Sequence, residues 1–353
     1  MNRSVPGPTR SFREDACRAT LRRPARCLPH RRLRRRLDRW ALSSALLHAV
    51  AILGAGCAGH LESDRGAAAG AGAAAAEPVE LRVMTFNIRY GTAADGADAW
   101  DRRRALLIET IRSYDPAVLG VQEALRFQLD EIGADFPGMK EVGVGRDDGA
   151  EAGEYSSILY DGSRFALREH GTYWLSDTPG VPGSMTWGNR YPRLVTWALL
   201  HDTAADLTFY VLNTHWDHES QNARERSAAQ VVDWLAASVG DRPVVVMGDF
   251  NAGESNPAFR ALLDADRRVR LRDSFRDVYP GAGGVGTYHA FTGDRTGEKI
   301  DAVLVSPAWE VVDAAIVRTN RAGRYPSDHF PVTATLVWRG DRDHSAGRPS
   351  AVP

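Results

Sequence analysis

The stretch "VVVMGDFN", residues 244–251, decides how the fold is interpreted. Its four apolar residues predict a buried strand, and that strand runs directly into Asp249 and Asn251. Side chains two positions apart on a strand point to the same face of the sheet. We therefore expect Asp249 and Asn251 to face one side together, while Phe250 turns into the core.

Other predicted strands also carry a polar side chain at one end. These are Asn87 in 81–88, Glu123 in 117–123, His215 in 207–215 and Asp301 in 299–306. Polar side chains that gather at one rim of a sheet indicate a site. The pattern therefore predicts that these side chains converge.

Two further segments have the spacing of amphipathic helices. Segment 101–116 places Leu107, Ile108 and Ile111 on one face, and segment 222–239 repeats the pattern before Gly240. Additional strands are predicted at 155–161, 194–201 and 330–338. Many strands with few helices favour sheets packed face to face with helices outside.

The charge of the chain is divided between its two parts. Residues 1–57 carry a net charge of +10, and the remaining residues carry −11. An acidic body is a poor passive binder of polyanions, because phosphate contacts need clustered cations. The cysteines are Cys17, Cys27 and Cys57, so the folded part has no thiol chemistry and no thiolate metal site.

The N-terminal segment has the parts of an export signal. The basic run 31–39 precedes an apolar run, 40–56, that ends in small residues before Cys57. The apolar run is short for a membrane span, and its end "LGAGC" resembles a bacterial lipoprotein cleavage site, with Cys57 as the lipidated residue. We expect a secreted, periplasmic or outer-envelope protein that meets the membrane only through this signal or lipid. An uncleaved anchor and a wrongly assigned start are the alternatives.

The composition of successive segments divides the chain into four expected regions. The predicted organisation is an export signal at 1–57, an Ala/Gly-rich linker at 58–79, one folded domain at 80–340 and a disordered tail at 341–353.

Oxygen ligands dominate the candidate site. Glu123 and Asp328 offer carboxylates and Asn87 offers a neutral oxygen, a set that suits Mg²⁺ or Mn²⁺. Structural zinc would need His and Cys in a closed tetrahedron. Taken singly, each of these residues is more often an ordinary loop acid or turn residue.

The ordered set of motifs is much more specific than any single one. The motifs are "TFNIR" (85–89), "QEA" (122–124), "NTHWDH" (213–218), "GDFN" (248–251), "KIDAV" (299–303) and "SDHFPV" (327–332). In order and chemistry they resemble the endonuclease/exonuclease/phosphatase superfamily, which includes deoxyribonuclease I. The resemblance covers residues 80–338 and is greatest to a secreted bacterial branch near the carbon-catabolite-repressor-type deadenylases.

The resemblance implies a four-layer α/β/β/α sandwich and divalent-metal-dependent hydrolysis of a phosphoester. By position in the motifs, it implies that Asn87, Glu123 and Asp328 hold the metal. Asp249 would activate water, and Asn251 would hold a phosphate oxygen or the nucleophile. By the same resemblance, His215 and His329 would stabilise the transition state together with the metal. Asp301 would orient His329.

Four residues are weaker candidates for binding substrate: Arg193, Asp217, His218 and His289. Arg193 is interpreted either as a phosphate clamp or as half of a surface salt bridge. His218 lies three positions after His215 and is a candidate partner for it.

The substrate class stays open at the level of sequence. The resemblance favours a phosphodiesterase with nuclease character, of the 3′–5′ exoribonuclease kind. A phosphatase or a sphingomyelinase-like phospholipase is the alternative, and the acidic body favours a small substrate. Nucleic acid, nucleotide, sugar phosphate and phospholipid head group are all candidate partners, and no protein partner is implied. A binding module that has lost catalysis is the third hypothesis.

Overall fold

The computed structural model describes residues 79–264 and 270–338. The predicted export signal, Cys57, the tail and all but the last residue of the linker lie outside these residues. No helix within the described ranges is both long enough and apolar enough to span a bilayer.

The described residues form twelve strands and five α-helices. The strands are β1 (Glu80–Asn87), β2 (Val118–Gln122), β3 (Met139–Val142), β4 (Ile158–Asp161), β5 (Phe165–Trp174), β6 (Leu194–Asp202), β7 (Leu207–His215), β8 (Val244–Asp249), β9 (Arg272–Asp273), β10 (Asp301–Val305), β11 (Trp309–Ile316) and β12 (Val332–Trp338). The helices are α1 (Trp100–Tyr114), α2 (Arg126–Asp135), α3 (Gln221–Ser238), α4 (Pro257–Leu263) and α5 (Ser274–Val278).

The strands form two six-stranded sheets. Their orders are β11-β12-β1-β2-β4-β3 and β5-β6-β7-β8-β10-β9. In each sheet one central pair is parallel, β1 with β2 and β7 with β8. The neighbours β12 and β10 run antiparallel to these pairs. Consequently the ends of β1, β2, β7 and β8 share a rim with the beginnings of β10 and β12.

Three apolar clusters separate four layers. One lies between the two sheets and includes Val83, Phe209 and Met247. A second packs α3 and α4 on the outer face of the β8 sheet, and a third packs α1 and α2 on the outer face of the β1 sheet. The α/β/β/α sandwich predicted from the sequence is confirmed.

The strands that the sequence reading omitted are mainly edge strands. β3 and β11 flank one sheet, and β5 begins the other. Their residues are largely exposed or half-buried, so they lack the continuous apolar runs that mark central strands. The predicted central strands and both helices are present, with ends shifted by up to three residues.

Candidate active site

Strand parity brings the catalytic candidates into the space between the sheets. In β8, Val245 and Met247 face the inter-sheet core, and Asp249 has the same parity. On its two sides Asp249 pairs in register with His215 of β7 and Asp301 of β10. The buried run therefore ends in a carboxylate because the strand points that position at the rim of the inter-sheet core.

Gly248 allows β7 and β8 to approach closely at this point. Its φ is +155°, and a Cβ there would lie 2.1 Å from the carbonyl oxygen of Thr214. Any side chain would push the two strands apart, and with them His215 and Asp249.

Asn87 connects the two sheets. Its Nδ2 donates to Asp249 Oδ2 at 2.9 Å and to Glu123 Oε1 at 3.0 Å. Its Oδ1 accepts the backbone N–H of Arg89 at 3.0 Å, which fixes the orientation of the amide. The amide nitrogen holds two carboxylates in place, since only it can donate to them. That Asn87 also helps to hold a metal stays a prediction.

His329 and Asp301 form a buried pair. His329 Nδ1 lies 2.8 Å from Asp301 Oδ2, and His329 Nε2 lies 3.8 Å from Asp249 Oδ2. Burial acts to lower the pKa of His329, but the carboxylates of Asp301 and Asp249 outweigh it and raise that pKa well above 6.5. The histidine is therefore held as a cation that faces Asp249.

Asp249 is a carboxylate with a strongly perturbed proton affinity. Burial, followed by the nearby Asp301, raises the pKa of Asp249 to about 7. His215 Nε2 lies 3.5 Å from Asp249 Oδ2. Burial, together with the charges of Arg193 and Arg146, lowers the pKa of His215 well below 6.5. The two histidines therefore differ: His329 is charged and His215 is neutral.

These groups open into one cavity of about 630 Å³. Its lining residues are Arg89, Tyr90, Glu123, Arg146, Glu154, Tyr191, Arg193, His215, His218, Asp249, Asn251, Tyr288, Ile300, Asp328 and His329. The cavity has two ends that differ in origin. We call the first the strand end, formed by the groups around Asp249, and the second the loop end, formed by Arg146, Glu154, Tyr191, Arg193 and His218.

Known proteins share this arrangement of motifs. A profile described as the Endonuclease/Exonuclease/phosphatase family matches residues 84–329. The chain belongs to this family. A family protein from Bacteroides thetaiotaomicron is 31% identical and has a TM-score of 0.68, covering 74% of this chain and 99% of its own. A mannosyl-6-phosphatase from the same organism is also 31% identical, with a TM-score of 0.66 over 73% of this chain and 100% of its own.

More distant structures share the fold alone. The catalytic domain of human Nocturnin is 18% identical, with a TM-score of 0.59 over 73% of this chain and 94% of its own. The family assignment makes this chain a hydrolase of phosphoester bonds, in a family that generally depends on a divalent metal.

The donor set at the strand end fits a hard divalent cation. Glu123 and Asp328 both line the cavity, and burial together with the nearby Glu123 raises the pKa of Asp328. Glu123 has a φ of +60°, an unfavourable backbone conformation for a residue with a side chain. The buried carboxylate of Asp328 and the half-buried carboxylate of Glu123 repel each other, and a cation bound by both would remove that repulsion.

A second group of possible ligands comprises Asp249, Asp301 and His329, whose ligand atoms lie within 4.8 Å of one another. Here His329 Nδ1 is engaged with Asp301, and the neighbouring carboxylates raise the pKa of the ring well above 6.5, so a metal at Nε2 would compete with a bound proton. We therefore regard Glu123 and Asp328 as the better candidates for metal ligands.

Asn251 lines the cavity beside Asp249, as expected. The expected cause, two positions of one strand that point to the same face, is not the observed one. The strand ends at Asp249, and Asn251 adopts a left-handed conformation with φ +45°. Its backbone N–H donates to Asp249 Oδ1 at 2.9 Å, and its Nδ2 donates to the carbonyl of Trp216 at 3.0 Å. Phe250 is buried, as predicted.

The four weaker candidates divide into two pairs. Arg193 and His218 line the cavity, and Arg193 is only 4% exposed, so its interpretation as a surface salt bridge is wrong. Asp217 and His289 do not line it. Asp217 Oδ1 accepts the backbone N–H groups of Glu219 and Ser220 just before α3, and the ring of His289 packs 3.9 Å from that of Phe330.

Arg103 is a structural support of the site that sequence reasoning missed. Its guanidinium donates to four backbone carbonyls, those of Ile88, Arg89, Asp98 and Pro326, at 2.6–3.0 Å. Two of these carbonyls directly follow Asn87, and that of Pro326 lies two residues before Asp328. One buried cation on α1 therefore ties together two loops of the strand end.

The loop-end residues Arg146 and Glu154 were also missed as site residues. They lie between β3 and β4 in a segment rich in Gly and Asp, which carries no strand or helix pattern. Their spacing of eight residues gives no signal, because the contact depends on the course of the loop.

Proposed function

We propose that this protein hydrolyses small phosphomonoesters with the aid of a bound divalent cation, and that it does so after export. The observation that carries the proposal is the Asp249 centre: a buried carboxylate 3.5 Å from His215, 3.8 Å from His329 and in register with Asp301. These are the groups that attack of water on phosphorus requires.

The proton transfers follow from the distances. Asp249 accepts a proton from water as the water oxygen attacks phosphorus. Negative charge grows on the phosphoryl oxygens, where the cationic His329 and the neutral ring of His215 donate hydrogen bonds. The phosphorus–oxygen bond to the alcohol breaks, the leaving oxygen takes up a proton from solvent, and Asp249 returns to solvent the proton that it took from water. Glu123 and Asp328 would hold the divalent ion, which would supply further positive charge near the phosphoryl oxygens.

Two observations favour a small monoester over a polynucleotide. The catalytic groups line one cavity of about 630 Å³, and residues 58–353 carry a net charge of −11. Among relatives above 30% identity, one bears the name mannosyl-6-phosphatase. The Nocturnin structure is below 25% identity and supports the fold only.

A substrate screen of the full chain tests the proposal. Sugar 6-phosphates, phenyl phosphate, bis(p-nitrophenyl) phosphate, single-stranded RNA and sphingomyelin are offered with Mg²⁺ or Mn²⁺, with and without chelator. We expect release of inorganic phosphate from monoesters, abolished by chelator. Faster cleavage of the diester or of RNA would overturn the choice of monoester, and turnover that resists chelator would overturn the role of the metal.

A further inference from the structure

The loop end contains charged donors that have no hydrogen-bond partner within the described residues. Arg193 Nη2 lies 3.0 Å from His218 Nδ1, while its Nε and Nη1 are buried without a partner. The Nε of Arg146 is likewise unpaired. Buried donors without acceptors cost free energy, so such groups point to an acceptor that arrives with a ligand.

The charges of the loop end are already neutralised. Arg146 forms two hydrogen bonds with Glu154, at 2.6 and 2.8 Å. Asp217 Oδ2 lies 3.9 Å from Arg193 Nε, close enough for charge compensation but beyond hydrogen-bond distance. Two arginines are thus balanced by two carboxylates. This balance disfavours a second phosphate as the ligand and favours a neutral group with several hydrogen-bonding atoms.

A hydroxyl group suits this end because it both donates and accepts. It can accept from the free N–H groups of Arg193 and donate to the remaining lone pairs of Glu154. Tyr191 is 37% exposed and adds an aromatic surface to the cavity. Its ring stacks on that of His218 with 6.3 Å between centroids and lies 5.1 Å from the guanidinium of Arg146. A sugar ring offers both hydroxyls and an apolar face.

We propose that the loop end is a hydroxyl-binding subsite, which makes the protein selective for phosphomonoesters whose alcohol is a sugar. The inference rests on the proposed phosphatase function and adds to it the class of the alcohol. His215 lies between the two ends, beside Asp249 and among the residues that line the space around Arg193. A phosphate at the strand end would therefore place its alcohol at the loop end.

Comparing a sugar phosphate with phenyl phosphate tests the subsite, because phenyl phosphate carries a ring without hydroxyls. We expect Arg193→Lys to lower kcat/KM for mannose 6-phosphate about 10- to 100-fold by raising KM. The reason is that lysine lacks the several N–H groups with which the guanidinium would donate to sugar hydroxyls. Phenyl phosphate should change less than about 3-fold. Arg226 is an exposed arginine on α3 that is paired with Asp177, and Arg226→Lys is the control. It should change kcat/KM for neither substrate.

Tyr191→Ala provides a second test if Arg193→Lys fails to fold, because Tyr191 is at the surface of the cavity. It should lower kcat/KM for the sugar phosphate about 2- to 10-fold more than for phenyl phosphate. An equal loss for both substrates, in either variant, would overturn the subsite.

Direct binding separates failure of the subsite from failure of the proposed function. Calorimetric titration of Asp249→Asn with mannose 6-phosphate and with phenyl phosphate, both in Mg²⁺, measures affinity without turnover. Tighter binding of the sugar phosphate supports the subsite even if no monoester is hydrolysed. Equal affinities would refute it even if the wild-type protein proves to be a phosphatase.

Discussion

The two ends of the cavity are built in different ways. Residues at the strand end, such as Asp249 and Asp301, occupy paired positions of neighbouring strands. Asp249 accepts a hydrogen bond from Asn87, and Asp301 is paired with His329. Residues at the loop end, such as Arg146 and Arg193, lie on connecting segments and retain unpaired donors. The strand end is therefore preorganised for one kind of chemistry, while the loop end still needs a partner.

This contrast separates reaction from selection. Groups fixed by a strand ladder cannot shift without disturbing both sheets, which suits charges that must meet a transition state. Loops can differ in length and sequence while the sandwich stays the same. We expect substitutions at the strand end to act on kcat and those at the loop end to act on KM.

The largest effect is expected from Asp249→Asn. The substitution keeps the shape of the side chain but removes the base, so kcat should fall about 100- to 10,000-fold or more. Thermal melting should show a folded protein. Asp130→Asn, an exposed site on α2, is the matched control. Hydrolysis by Asp249→Asn near the wild-type rate would show that the base is elsewhere.

Arg103→Met should affect the strand end through its backbone. Four carbonyls would lose a charged donor, and we expect the free energy of unfolding to fall by about 3 kcal/mol or more. Urea unfolding measures this loss. Arg112→Met removes an exposed arginine from the same helix and should cost less than about 0.5 kcal/mol.

Arg103→Lys tests whether the same residue also positions the metal ligands. A lysine keeps the charge but cannot reach all four carbonyls. We therefore expect the free energy of Mn²⁺ binding, measured by titration calorimetry, to weaken by more than the free energy of unfolding falls. Unchanged Mn²⁺ affinity in a folded variant would limit Arg103 to a structural role.

The smallest effect concerns His289, which was predicted to bind substrate but packs behind the strand end. Burial, followed by the charge of His329, lowers the pKa of His289 to about 4. The unfolded chain therefore binds more protons between pH 6.5 and 4, and this residue makes the protein less stable as pH falls through that window.

His289→Asn should consequently lose less stability between pH 7 and pH 4.5 than the wild type, as measured by urea midpoints. Its KM at pH 7 should stay within about 2-fold of the wild-type value. A large rise in KM would show that His289 acts on substrate binding and would break the division between the two ends.

Much of the strand end could be predicted from the sequence. Asp249 and His215 each end an apolar strand, and Asp301 begins one, so alternation fixes their faces before any contact is known. Glu123 and Asp328 were found because they stand in motifs of recognisable order. The orientation of Asn87 was not accessible in this way, because it depends on the backbone N–H of Arg89 and on carboxylates from two sheets.

By itself the sequence determined which residues reach the rim, since strand periodicity is a local property of the chain. Only the tertiary structure decided what each of them meets there. Arg103 contacts the carbonyl of Pro326, which lies 223 residues further along the chain, and no local pattern encodes such a pairing. The charge state of His215, the free donors of Arg193 and the pairing of Arg146 with Glu154 likewise depend on segments that only folding brings together.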